Sequence, residues 1–209
     1  MRKILKLNPK RISAEVVREA AITIRGGGVL LYPTETIYGL GCDVFNERAV
    51  KRIFAIKQRF EKKPLLVLVR NVTMVRELVV AIPPLASVLM DRFWPGPLTL
   101  IFYARRNISS LVTAGSGKIG VRIPKNNFCL RLIKACSTPI VSTSANISGQ
   151  EPVQGVDDLV RHFGNRVDLV VNVGILPVSL PSTVVDVSDA RPRIIREGAI
   201  RRIQLLKCF

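Results

Sequence analysis

The chain has 209 residues and is 48% hydrophobic, enough for a sizeable core and too apolar for a disordered polymer. Thirty-two Lys and Arg against 15 Asp and Glu leave a net charge of +17, which concentrates nucleotides, RNA or anionic lipid near the surface. No apolar run reaches the ~20 residues of a membrane span. The basic start MRKILKLNPKR is broken by Lys6, Asn8 and Pro9, so a secretion signal is not expected and a cytoplasmic location is. Cys42, Cys129, Cys136 and Cys208 form no CxxC pair, and His162 is the single histidine. The spacings of zinc ligands are missing. Free, mostly buried thiols and no metal site follow.

In chain order, Ser13 caps a helix over 14–25 whose apolar positions recur at helical spacing, and Gly26–Gly28 end it. An apolar strand at 29–33 leads into the polar stretch 34-TETIYGLGCD-43, read as a loop. A helix over 47–57, a strand at 65–70 and short helices opening at Thr73 and Pro84 follow, the second running to Phe93. After the turn 94-WPGP-97 come strands at 98–104 and 118–124, a helix over 127–136 and a strand at 139–144 ending in a polar loop. A helix near 157–163, strands at 168–174, 182–188 and 193–197, and a closing helix over 199–206 complete the pattern. Interleaved helices and strands, several strands apolar on both faces, predict an α/β sheet covered by helices. With no repeat and no long linker, one domain over residues 1–209 is expected.

Several chemistries drop out. The run 113-TAGSGKIG-120 has Ile119 and Val112 where a phosphate-binding P-loop needs a hydroxyl and a glycine. No dinucleotide fingerprint or nucleophile elbow exists, and His162, on a predicted surface helix, is a poor base for a triad. What remains is polar clusters at strand ends, where α/β sheets gather ligands. They are Thr34-Glu35-Thr36 with Tyr38; 57-KQRFEKKPL-65; Arg122 inside an apolar strand; 142-STSANISG-149; and Ser182-Thr183 with Arg196. Between Arg48 and Lys63 stand seven basic residues and one acidic residue. Taken singly, hydroxyl runs read as turns and caps, and a basic run as a solvated face. Arg122 must find an anion or turn outward. Cations plus hydroxyls suit a ligand with phosphates at one end and a small polar zwitterion at the other.

Together the stretches 32-YPTETIYGLGCD-43, 57-KQR-59 with 63-KPL-65, 94-WPGPLT-99, 120-GVRIP-124, 144-SANISG-149 and 182-STVVD-186 resemble the threonylcarbamoyl-AMP synthases, the YrdC-like family. The ordered set spans nearly the whole chain, and the K-x-R and S-x-N pairs are its signature. The resemblance implies a twisted mixed sheet wrapped by helices around a basic concave groove. It also implies a reaction in which L-threonine, bicarbonate and ATP, with Mg²⁺, give threonylcarbamoyl-AMP and pyrophosphate. A downstream tRNA threonylcarbamoyltransferase complex then uses the product, and tRNA or double-stranded RNA is a further implied partner.

By the same matching, Thr36, Arg122, Ser142 and Thr183 are expected to hold threonine. Lys57, Arg59, Lys63, Ser144, Asn146 and Arg196 are expected on the ATP side, with Lys57 and Arg59 as the catalytic cations. An arginine fork suits a carboxylate because it donates two parallel hydrogen bonds. The chain departs from some relatives at three places. No histidine stands in 66-LVLV-69, around Leu68; Lys118 replaces a threonine; and Pro152 replaces a nucleotide-binding serine. Two alternatives stand beside this reading: an RNA-binding protein of the same fold, and a paralogue with a different small-molecule substrate.

Overall fold

The computed structural model describes residues 3–58, 64–146, 155–163 and 166–209. Its elements run β1 (Lys3–Lys6), α1 (Ala14–Arg25), β2 (Leu30–Pro33), β3 (Tyr38–Asp43), α2 (Glu47–Lys57), β4 (Leu66–Leu68), α3 (Val72–Leu78) and α4 (Pro84–Phe93). They continue as β5 (Leu98–Tyr103), α5 (Ser110–Thr113), β6 (Lys118–Arg122), α6 (Asn127–Cys136), β7 (Ile140–Ser144), α7 (Val156–Phe163), β8 (Leu169–Asn172), β9 (Thr183–Asp186), β10 (Arg193–Arg196) and α8 (Arg202–Leu206).

The strands form one ten-stranded mixed sheet in the order β1-β8-β2-β3-β7-β4-β6-β5-β9-β10. The expected α/β class with a mixed sheet is therefore found. Helices cover it by burying one stripe each. Helix α1 starts where the Ser13 side chain accepts the Val16 N–H, and it buries Val16, Val17, Ala20, Ala21 and Ile24. Helix α6 buries Phe128, Cys129, Leu132, Ile133 and Cys136, and packs beside α1. Each fully buried branched or aromatic side chain of this kind stabilises the fold by about 1.5–3 kcal/mol. Cys42, Cys129 and Cys136 are free and buried, as expected, and burial pushes the Cys136 thiol up to about 12.

Four elements depart from the sequence reading, one of them the short helix α5, which the sequence pattern does not announce. The stretch 38–43 is a strand, not a loop. Tyr38, Leu40 and Cys42 alternate with Gly39 and Gly41, and β3 lies between β2 and β7, antiparallel to both. The glycines look like loop punctuation, but Gly41 is required by close approach. A Cβ there would lie 2.6 Å from Cε1 of Tyr32 and 2.9 Å from the Val141 carbonyl oxygen. The N-terminal KILK forms a short edge strand, its lysines at both ends, parallel to β8. The closing helix is shorter than expected, beginning at Arg202.

Gly41→Ala is expected to lower the free energy of unfolding by about 1–3 kcal/mol through overpacking. Urea denaturation of the two proteins, compared at equal m-value, measures it.

Candidate functional site: a cationic cavity on the central strands

Strand register builds the site. Ser142 pairs with Leu66, Leu66 with Gly120, and Gly120 with Ile101, so these four residues form one row across β7, β4, β6 and β5. Arg122 lies two residues beyond Gly120 on the same face, and Gly39 sits opposite Ser144 at one side of the row. On the other side Thr99 pairs with Val184. Glycine and serine in this row leave room above the sheet. A cavity of about 460 Å³ fills it, lined by residues of these strands together with Thr34, Thr36, Pro181, Ser182 and Arg196.

At the cavity's β2–β3 corner, the Thr34 hydroxyl donates to the Ile37 carbonyl (2.7 Å) and accepts the Thr36 and Ile37 N–H groups (3.1 and 3.2 Å). This closes the turn and fixes Thr36 on the wall, its hydroxyl 3.0 Å from that of Thr34. Ser179 donates its hydroxyl to the Thr36 carbonyl and ties the 174–181 segment to the same corner. Across the floor, the buried Tyr32 hydroxyl donates to Ser142 Oγ at 2.8 Å, leaving the serine its own proton to offer. Burial drives the Tyr32 phenol far above its usual range, so it acts as a neutral donor.

Two arginines face this space. Arg122 is only 3% exposed. Its Nε is buried without a hydrogen-bond partner, and its one ion pair among the described residues is with Glu35, Nη1 to Oε1 at 3.7 Å. Arg196, from β10, donates to the Ser182 carbonyl through Nε (3.2 Å) and Nη2 (2.9 Å). Ser182 Oγ in turn lies 2.9 Å from Thr99 Oγ1. Burial first, and the Arg122 charge second, lower the Arg196 pKa from its ordinary value. Among the described residues no aspartate or glutamate lines the cavity. A buried guanidinium with an unpartnered Nε, beside a second cation and several hydroxyls, is an arrangement suited to an anion.

The K-x-R and S-x-N pairs meet at one end. Lys57 is the last residue of α2 and is 2% exposed. Its ammonium donates to the Ser144 carbonyl, to the Asn146 carbonyl (2.7 Å) and to Asn146 Oδ1 (3.1 Å). Ser144 Oγ donates to the same Oδ1 at 2.5 Å. Thus Thr36, Arg122, Ser142, Ser144, Asn146 and Arg196 share one cavity, with Lys57 bonded to its rim. Arg59, Lys63 and Pro152 lie outside the described residues.

Thr183 corrects the sequence reading. It is fully buried and does not line the cavity. Its hydroxyl donates to the Ile200 carbonyl (2.7 Å) and accepts the N–H groups of Gly198 (2.9 Å) and Ile200 (3.0 Å). The reason is strand alternation: Thr183 pairs with Leu98, while Ser182 and Val184 point to the cavity. The hydroxyls of Ser182, Thr34, Thr99 and Thr143 belong to residues that line the cavity although the resemblance assigns them no role, and the period of two along 182–184 is the signal that finds the first. Lys118 is also accounted for elsewhere. It pairs with Asp186 (3.1 Å) and Asp189 (3.0 Å) and lies 5.1 Å from the Tyr103 ring centre. His162 is exposed on α7.

Among the described residues no three His, Cys, Asp or Glu side chains converge on a metal position. The described part of the lining thus offers no carboxylate that would hold a divalent ion.

The fold and the site define an α/β protein with a built anion-binding cavity over its central strands. The chain belongs to the Sua5/YciO/YrdC family, whose model, described as Telomere recombination, matches residues 23–198. It is 35% identical to the threonylcarbamoyl-AMP synthase of Pyrococcus abyssi over 191 residues, 91% of this chain and 56% of that protein. A putative threonylcarbamoyl-AMP synthase of Methanocaldococcus jannaschii is 34% identical over 99% of this chain and 96% of its own length. The chain thus spans about half the length of its Pyrococcus and Bacillus relatives and nearly all of the Methanocaldococcus one. The structure of P. abyssi Sua5 complexed with L-threonine superposes with a TM-score of 0.93 at 33% identity, covering 98% of this chain and 60% of that one.

Thr183→Val is expected to destabilise the protein by about 1–3 kcal/mol, because it strands two buried N–H groups and a carbonyl. Chemical denaturation gives that loss, and ligand affinity measured on the folded fraction should stay within about twofold of wild type.

Proposed function

We propose that the chain is an L-threonylcarbamoyl-AMP synthase. In this reading the threonine amine and bicarbonate form a carbamate with loss of water. A carbamate oxygen then attacks the α-phosphorus of ATP, and pyrophosphate leaves. Mg²⁺ enters with ATP as part of that substrate. The product feeds a tRNA threonylcarbamoyltransferase, which implies a cytoplasmic setting for the chain. The observation that carries the reading is the buried Arg122 guanidinium, lining the cavity with its Nε unpartnered beside the hydroxyls of Thr36 and Ser142.

The roles follow from charge. Arg122 accepts the amino acid's carboxylate, since a guanidinium fork matches it bidentately. Thr36 and Ser142 offer hydroxyls to the polar remainder. Lys57 with Ser144 and Asn146 forms the opposite end, where a triphosphate meets a fixed cation. Arg59 is assigned to that end by the K-x-R pair, Lys63 by the matching stretch 63-KPL-65, and Arg196 by its place on the wall. Attack of one anion on another needs charge neutralised and reactants aligned, so Lys57 and Arg59 act by electrostatics rather than by covalent chemistry. Relatives named for this activity, and one solved with L-threonine, support the reading. The net charge of +17 favours RNA binding as an additional property.

Pyrophosphate release from ATP should require both L-threonine and bicarbonate, and should fall when serine replaces threonine. ATP binding without such dependence would assign the chain to a paralogue with another substrate. Arg122→Ala should raise the threonine KM by about 10- to 100-fold, as loss of a charged hydrogen-bond partner does. The ATP KM should move by less than about threefold, and steady-state kinetics in each substrate separates the two.

A further inference from the structure

Little holds the Arg122 guanidinium in place. Its Nε has no hydrogen-bond partner, and Glu35 is its only ion-pair partner among the described residues, at 3.7 Å. That distance permits attraction but exceeds a hydrogen bond. Glu35 comes from the β2–β3 turn, between Thr34 and Thr36, and unlike them it does not line the cavity. Oε1 accepts the Lys125 N–H at 3.2 Å, while Oε2 is buried with no partner at all.

A carboxylate with one buried, unbonded oxygen and a buried guanidinium that do not satisfy each other are costly unless something else completes them. Had Glu35 formed the usual two-pronged fork with Arg122, those donors would be occupied and a ligand carboxylate would have to displace it. The loose pair does otherwise. It balances the arginine's charge and fixes its direction, yet leaves the N–H donors available. The Lys125 backbone N–H keeps the glutamate from closing the gap.

We propose that Glu35 is a positioning residue for the amino acid's carboxylate site, holding Arg122 by charge alone so that its donors stay aimed at the ligand. This rests on the assignment of Arg122 to that carboxylate. Glu35→Gln preserves shape and the bond from Lys125 but removes the charge.

The test uses the full chain, with threonine binding followed by calorimetry and pyrophosphate release followed in each substrate. Glu35→Gln should raise the threonine KM about tenfold, within the range of coupling between contacting residues. The ATP KM should stay within about twofold. Glu35→Asp, which keeps the charge but withdraws it, should show a smaller, threonine-only rise, and it decides the matter if Glu35→Gln does not fold. In the Arg122→Ala background, adding Glu35→Gln should change the threonine KM no further. An unchanged threonine KM, an equal rise in both constants, or a full additive effect on top of Arg122→Ala would overturn the role of Glu35 alone. Failure of the wild-type chain to bind threonine would instead remove the carboxylate assignment, and this role with it.

Discussion

A guanidinium buried at the centre of a sheet constrains everything around it. Arg122 sits on β6, between β4 and β5, where its neighbours along the strand are apolar. An arginine there is tolerable only if its charge is balanced and its donors have work. Glu35 supplies balance at 3.7 Å, and the cavity supplies space for an acceptor. The surrounding small residues follow from the same demand, because bulk at Gly120 or Ser142 would close the space that the arginine faces.

The cavity is a consequence of register rather than of any one loop. Its walls come from strands far apart in sequence, from β3 to β10, and the pairing of β7 with β4 and of β5 with β9 brings them side by side. Loops add the closing pieces: the Thr34 turn and the 174–181 segment that Ser179 ties to it.

Charge is distributed with the same logic. Acidic side chains elsewhere are engaged: Asp168 with Arg52, and Asp186 and Asp189 with Lys118. The exposed Arg52–Asp168 pair adds little stability. The cavity, by contrast, is lined by two arginines and, among the described residues, by no carboxylate, which gives it a local field that draws anions.

The sequence by itself determined the α/β class and the boundaries of α1, α2, α4 and α6. Helical periodicity, caps and the K-x-R and S-x-N spacings are local, and local order is written in neighbouring residues. It did not determine that 38–43 is a strand, because glycines that admit Tyr32 and β7 look like a turn until the partners are present. Nor did it separate Ser182 from Thr183. Both are hydroxyls at a strand start, and only pairing with β5 decides which one faces the cavity and which is buried against residues 198–200. The loose contact between Glu35 and Arg122 was likewise beyond it. These residues lie in different stretches of chain, and a gap of a few tenths of an ångström beyond bonding distance exists only once the sheet has closed.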